Sequence, residues 1–150
     1  MAAKDKVERG FRFLYDDSGG TERDLSTGLV RASASGFGLI YEEADMTGVS
    51  NGVVNFLANH PTASISATFH MDDTATTGAH VVLSASSGVV GTLTARWGSA
   101  GAAPTTGDPM WSGEYLNTGV SVGFDGGKAV INVTFVAGSA TAPVWSTYSP

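Results

Sequence analysis

The 150-residue sequence contains no cysteine. This absence excludes a disulfide framework, thiolate catalysis and zinc sites built on cysteine. No run of 18 apolar residues occurs, so the pattern predicts no membrane-spanning helix. The first nine residues are charged and lead into no apolar segment of the kind a secretory signal needs, which indicates synthesis and assembly in a cytoplasm.

Basic residues are also scarce. Eight Lys and Arg stand against 14 Asp and Glu, for a net charge of −6. Proteins that grip nucleic acid neutralise phosphates with clustered Lys and Arg. Here five of the eight basic residues lie in the first 23 positions, interleaved with acids. We therefore expect no adhesive, specific contact with DNA.

What the sequence does contain is alternation of apolar with small polar residues. Residues 62–71 follow this pattern, and it recurs at 92–97, 120–124 and 129–136. A strand has a side-chain period of two, so each segment buries one face and presents Ser, Thr or Asn on the other. On the first two segments the polar face carries Ser64, Ser66, Thr68, Thr92 and Thr94.

The remaining segments complete a single, mainly β domain over residues 1–150. Apolar residues at 49, 53, 56 and 57 predict one helix over about 49–59, ended by Pro61. A short helix is predicted at 78–85, with Thr76 or Thr77 as its cap. Two alternating runs around Asp125-Gly126-Gly127 predict a β-hairpin. Residues 1–10 and the Gly/Ala/Pro-rich stretch 98–109 are expected to be flexible arms.

Candidate chemistry is weak. His70, His80 and the pair Asp72-Asp73 are suitable metal ligands, but a strand face followed by a turn explains them better. Glu42, Glu43 and Asp45 stand at a strand end, where adjacent acids point to opposite faces and form a poor catalytic pair. Residues 98–107 lack the lysine of a phosphate-binding loop. We expect no catalytic residue, no metal and no cofactor, and hence no enzyme.

Four pieces of the sequence follow one another in a known order. These are the step D-M-T-G-V at 45–49 into a helix, W-S-G-E-Y at 111–115, the hairpin strand 128–136 and the closing A-P-V-W at 142–145. This order of elements, over roughly residues 36–148, resembles that of the tail tube proteins of long-tailed bacteriophages. It implies an antiparallel β-sandwich or barrel flanked by the helix. It also implies hexameric rings, stacked into a tube that conducts DNA in the virion, with other tail proteins as partners and no membrane.

In such a tube, Ser64, Ser66, Thr68, Thr92 and Thr94 are the predicted inner wall. Small hydroxyl groups keep a bore hydrated and offer DNA no fixed cation, so DNA slides through without specific binding. Arg96 shares the face of Thr94 and fits this wall only if an acid such as Glu114 pairs with it or if it lies at the rim. Two alternatives remain open: a capsid decoration (cement) protein, and a carbohydrate-binding β-sandwich that uses exposed tryptophans.

Overall fold

The computed structural model describes residues 10–32, 37–45 and 56–150. They form ten strands: β1 (Phe11–Asp16), β2 (Glu22–Asp24), β3 (Leu29–Ala32), β4 (Ile40–Asp45), β5 (Phe56–Thr62), β6 (Ser64–His70), β7 (Val90–Trp97), β8 (Pro109–Asp125), β9 (Lys128–Ala137) and β10 (Val144–Thr147). One α-helix, α1 (Ala79–Ala85), precedes β7, and short 3₁₀ turns lie at Ser26–Gly28 and Ser99–Gly101. Every strand pair is antiparallel, so the predicted mainly antiparallel β class is confirmed.

One long sheet runs β2-β1-β7-β8-β9-β6-β3, with β10 also on β8. Strand β8 is 17 residues long and joins the two halves, pairing with β7 along its first part and with β9 along its second. The register shifts between Asn117 and Val120, and such a bulge bends a strand. The sheet folds over on itself there, so that its apolar faces meet.

Aromatic residues fill the core between the two halves. The Phe13 ring on β1 lies 5.4 Å from the Phe69 ring on β6 and 5.9 Å from the Phe135 ring on β9. Tyr15 lies 4.8 Å from Phe135 and donates its hydroxyl to the Tyr115 carbonyl at 3.1 Å. These contacts make the fold a sandwich whose two layers face each other.

The predicted hairpin is confirmed. Asp125 pairs with Lys128, leaving Gly126 and Gly127 as a two-residue loop with φ of 57° and 80°. Positive φ at both central residues matches the twist of the flanking strands and is open to glycine at little cost.

The helix predicted over 49–59 is wrong where the structure describes it. Residues 56–59 belong to β5, which pairs with β4 in a separate two-stranded sheet, while residues 49–55 lie outside the described part. An apolar group this short does not distinguish the 3.6-residue period of a helix from the two-residue period of a strand. The pairing with β4 shows that residues 56–59 form a strand. Pro61 is accommodated in β5 because a strand of a two-stranded sheet always has an open edge. The acids at 42–45, predicted to follow a strand, are part of β4 itself.

The helix predicted at 78–85 is confirmed as α1, although neither Thr76 nor Thr77 caps it. Gly78 occupies the cap position and makes no side-chain bond. The stretch 98–109, predicted as a flexible arm, is hydrogen bonded at both ends in the described part of the chain. The Gly98 N–H donates to the Gly10 carbonyl at 3.1 Å, and the Gly107 N–H donates to the Tyr148 carbonyl at 2.9 Å. Residues 1–9, the rest of the predicted N-terminal arm, lie outside the described residues.

Candidate functional site

The alternation that defined the candidate wall is present in the strands. On β6, the residues between the polar positions are buried, with Ile65 and Phe69 0% exposed. On β7, Leu93 and Ala95 are likewise 0% exposed. The predicted polar positions therefore all lie on the outer surface of their sheet half, opposite the core.

The outer face of β6, β9 and the second half of β8 is polar and uncharged in its middle part, away from the hairpin end where Asp125 lies opposite Lys128, and we call this middle part the neutral face. Ser66 lies opposite Thr134, and their hydroxyls are 3.2 Å apart. Thr68 donates its hydroxyl to Asn132 Oδ1 at 2.9 Å. Thr118 donates to the Thr134 carbonyl at 2.8 Å. These cross-strand bonds fix the side chains and leave a surface with few free polar groups.

A shallow groove of about 460 Å³ runs across the neutral face. None of the described residues that line it carries a charge; the polar ones are Ser66, Thr68, Thr118, Ser121, Asn132 and Thr134. The prediction included only the first two of these. The alternation over 120–124 and 129–136 could have identified Ser121, Asn132 and Thr134, because it places them on the non-core side of their strands.

Thr92 and Thr94 lie instead on a face rich in charge, formed by β1, β2 and β7, which we call the charged face. Thr92 donates its hydroxyl to Glu114 Oε1 at 2.7 Å and its N–H to Asp16 Oδ2 at 3.2 Å. Thr94 is only 5% exposed, and Thr68 on β6 is similarly buried at 6%. Of the five predicted wall residues, Ser64 and Ser66 are the exposed ones.

Three arginines of this sheet half are paired with acids: Arg12 and Arg96 on the charged face, and Arg23, which lies opposite the core residue Tyr15 at the sheet edge. The Arg23 Nε lies 2.8 Å from Asp17 Oδ2, and Arg12 lies 4.0 Å from Asp24. Bonds from the Thr21 N–H and from the Arg23 side chain hold the pKa of Asp17 below its usual range. This carboxylate therefore stays ionised at neutral pH.

Arg96, the third of these arginines, does not pair with Glu114, the partner proposed from the sequence. Its guanidinium contacts Glu22 at 3.4 Å and stacks on the Tyr148 ring, 4.4 Å from the ring centre. Glu114 is occupied by Thr92. The arginine is thus part of the ion-paired charged face.

The two groups of candidate wall residues are not brought together. The apolar sides of the sheet halves face each other across the Phe13–Phe69 contact, so their outer faces point in opposite directions. No single surface of one subunit contains both the β6 serines and Thr92 or Thr94. A wall built from this chain uses one face or the other.

The metal-ligand candidates at positions 70–80 do not form a cluster in the structure. Among residues 10–32, 37–45 and 56–150, no three His, Asp or Glu side chains come together in a metal-binding arrangement. The Asp72 carboxylate is bonded by the Thr74 N–H at 2.9 Å and by the Thr74 hydroxyl, and these bonds lower its pKa. His70 borders a depression with Met71, Lys128 and Ala129. Glu43 is exposed on β4.

The tryptophans act chiefly in packing. Trp111 is 1% exposed and donates its Nε1–H to the Tyr115 hydroxyl at 2.9 Å. The Trp97 and Trp111 rings each lie 5.2 Å from Trp145, which is 54% exposed. One exposed tryptophan at the end of an aromatic stack offers little to the carbohydrate-binding alternative, which needs a platform of exposed rings.

Comparison with known proteins finds a fold relative only. No family model matches the sequence, and no curated protein is similar to it. Among solved structures, the fold is similar to a chain of an extracellular contractile injection system, from the PVC sheath-tube complex in its extended state. The match has a TM-score of 0.57 and 14% identity and covers 91% of this chain and 89% of the other. In the described part of the chain, no helix is long and apolar enough to cross a membrane. The chain therefore has a fold also found in a contractile injection system.

Proposed function

We propose that this chain is the tube subunit of a phage tail or a related injection particle, and that its function is structural. Copies join into rings, six to a ring as the sequence resemblance implies, and the rings stack into a tube through which DNA passes. The observation that carries the proposal is the fold similarity, which extends over about nine tenths of both chains. A likeness of this extent involves the whole sandwich and not one shared hairpin.

The neutral face is the proposed inner wall. Passing DNA carries a phosphate charge about every 1.7 Å of its axis, so each fixed cation on the wall would make a contact that transit must break. The neutral face has hydroxyl and amide groups but no charged residue among those described in its groove. The charged face carries two ion-paired arginines, Arg12 and Arg96, and suits the outside of the tube, toward solvent or another particle component.

Assembly is tested first by negative-stain electron microscopy of the purified protein at increasing concentration. We expect rings or tubes with a central channel. A species that stays monomeric, or a closed trimer at all concentrations and salt conditions, would overturn the tube proposal. The trimer would favour the capsid decoration alternative.

The orientation of the faces is tested with single cysteines, which is straightforward because the chain has none of its own. Ser66→Cys places a thiol on the neutral face, and Glu22→Cys places one at an exposed position of the charged face as the matched control. In assembled tubes, a small maleimide should label both, whereas a maleimide carrying a bulky polymer should label only the control. Equal labelling of both variants by the bulky reagent would refute the inward orientation.

A further inference from the structure

Phe124 is the most exposed large apolar side chain described, at 82%. Directly opposed residues point to the same side of a sheet, and β8 pairs Val122 with the buried Ile131 and Phe124 with Ala129. Phe124 therefore lies on the core side of β8, at the end where the hairpin extends beyond the core. Val122, two residues earlier and on the same side of the strand, is 55% exposed. The fold places an apolar knob where nothing in the described part of the subunit covers it.

A pocket of matching character lies elsewhere on the same chain. It has a volume of about 190 Å³ between the base of the β4–β5 hairpin and the segment before β10. Its walls are formed by Leu39, Pro61, Ala63, Ala137, Ala142 and Pro143, with Ser139 and Ala140 completing it. An apolar cavity of about 150 Å³ accepts a benzene molecule, so this pocket has room for a phenyl ring. Ile40 and Tyr41, next to Leu39, are 53% and 52% exposed.

Phe124 cannot reach the pocket of its own subunit. A Cβ on Gly113 would lie 2.6 Å from Pro143, so the pocket wall sits beside Gly113 on β8. On β9, Ala129 lies opposite Phe124 and Ala137 lies in the pocket wall; they are eight residues apart, about 26 Å at the rise of an extended chain. Only another molecule can fill the pocket with this ring.

Charge favours a second copy as that molecule. The Phe124 end carries Asp72, Asp73 and Asp125 against Lys128. The chain enters the fold at the other end of β8, at Gly10 beside Gly98. The nine residues before Gly10 contain Lys4, Lys6 and Arg9 against Asp5 and Glu8. The Phe124 end is thus acidic, whereas the nine residues that precede Gly10 in the sequence have a net charge of +1.

We propose that Phe124 of one copy inserts into the pocket of Leu39, Pro61 and Pro143 on the next copy. The proposal rests on the self-assembly stated in the proposed function and names the contact that drives it. Knob and pocket are different surfaces, so the contact is head-to-tail. Such contacts continue from subunit to subunit, into rings or stacks, and do not end in a dimer.

Disulfide trapping tests this contact. The double variant Phe124→Cys with Ala142→Cys places one thiol on the knob and one on the pocket wall. After mild oxidation of the assembled protein, a denaturing gel should show a ladder of covalent multimers. A mixture of the two single variants should stop at dimers. The control double variant Ser18→Cys with Ala142→Cys, in which Ser18 lies in an exposed turn, should give no ladder. Dimers from Phe124→Cys alone would indicate a symmetric contact and overturn the proposal.

A second measurement does not depend on cysteine chemistry. Phe124→Ser should raise the concentration needed for assembly at least about tenfold, because burial of a phenylalanine ring is lost. Val89→Ser, which alters a half-exposed apolar residue away from both surfaces, should leave it unchanged. Tubes that form normally without the disulfide ladder would overturn this contact and leave the tube function standing. A ladder from a protein that never forms rings or tubes would support the contact and refute the tube function.

Discussion

Asn117 offers the sharpest stability test of the fold, because it is a fully buried polar residue at the bend of β8. Its side-chain amide donates to the Leu83 carbonyl at 2.8 Å and to the Ser86 hydroxyl at 3.3 Å. Its Oδ1 accepts the Gly119 N–H at 2.9 Å. One side chain thus ties the end of α1 to the bulge that folds the sheet.

We expect Asn117→Ala to lower the free energy of unfolding by about 1–3 kcal/mol, the cost of a buried polar group that loses its partner. The change leaves the Leu83 carbonyl with only the Ser86 hydroxyl, at 3.4 Å, and removes the acceptor of the part-buried Gly119 N–H. Domains of this size are stable by about 5–15 kcal/mol in total, so the loss is easily measured. Urea unfolding followed by tryptophan fluorescence gives the value.

Asn117→Asp adds a pH signature that a simple packing defect lacks. An ionised carboxylate cannot donate to the Leu83 carbonyl, whereas a protonated one can, and burial raises the pKa of the new carboxyl. A group whose pKa is higher in the folded state stabilises the protein at low pH and loses this effect as pH rises. The variant should therefore gain stability from pH 8 to pH 5, relative to the exposed control Ser121→Asp. Equal stability of the two variants at pH 7, or a parallel pH dependence, would refute the assigned role of Asn117.

Three further changes probe the core, a close approach and a strained turn. Burial raises the pKa of Tyr15 to about 12 from 10.0. The contribution of Tyr15 to stability is therefore complete below pH 10 and falls above it by about 1.4 kcal/mol per pH unit. Tyr15→Phe should shift alkaline unfolding to higher pH in a circular dichroism titration. Gly113→Ala should lower the melting temperature by about 3–10 °C, because the new Cβ overpacks against Pro143, and an unchanged melting temperature would contradict the close approach of Pro143 to β8. Thr76 has a φ of 70°, in the left-handed region that asparagine tolerates better than threonine. Thr76→Asn should therefore raise the free energy of unfolding in urea by about 1 kcal/mol. A lower free energy of unfolding would mean that the turn is not strained.

The strands were predictable wherever the side-chain period was clear. Ile65 and Phe69 lie in the core because they alternate with serine and threonine, and the Gly126-Gly127 turn follows from glycine's access to positive φ. Residues 56–59 were not predictable, because a short apolar group fits a helix or a strand until its pairing partner is known. That partner, β4, is more than ten residues away in sequence.

The direction of each polar face was likewise beyond the sequence. Alternation shows that Ser66 and Thr92 both point away from a core, but it does not show whether the two strands lie in one layer or in opposite layers. That depends on the bulge after Asn117 and on contacts such as Phe13 with Phe69, which join residues 56 positions apart. The predicted wall residues are therefore divided: those on β6 lie on the neutral face and those on β7 on the reverse side.

This two-sidedness has a consequence for the proposed tube. The two layers of a sandwich are separated by about 10 Å of core, so one small domain presents two surfaces of different character close together. In the proposed orientation, the neutral face meets the moving DNA and the ion-paired charged face meets water or a surrounding component. In this proposal, the two layers of one sandwich supply both surfaces. A lysine on either face should therefore alter one function only: at Ser66 it should retard DNA, and on the charged face it should leave passage unchanged.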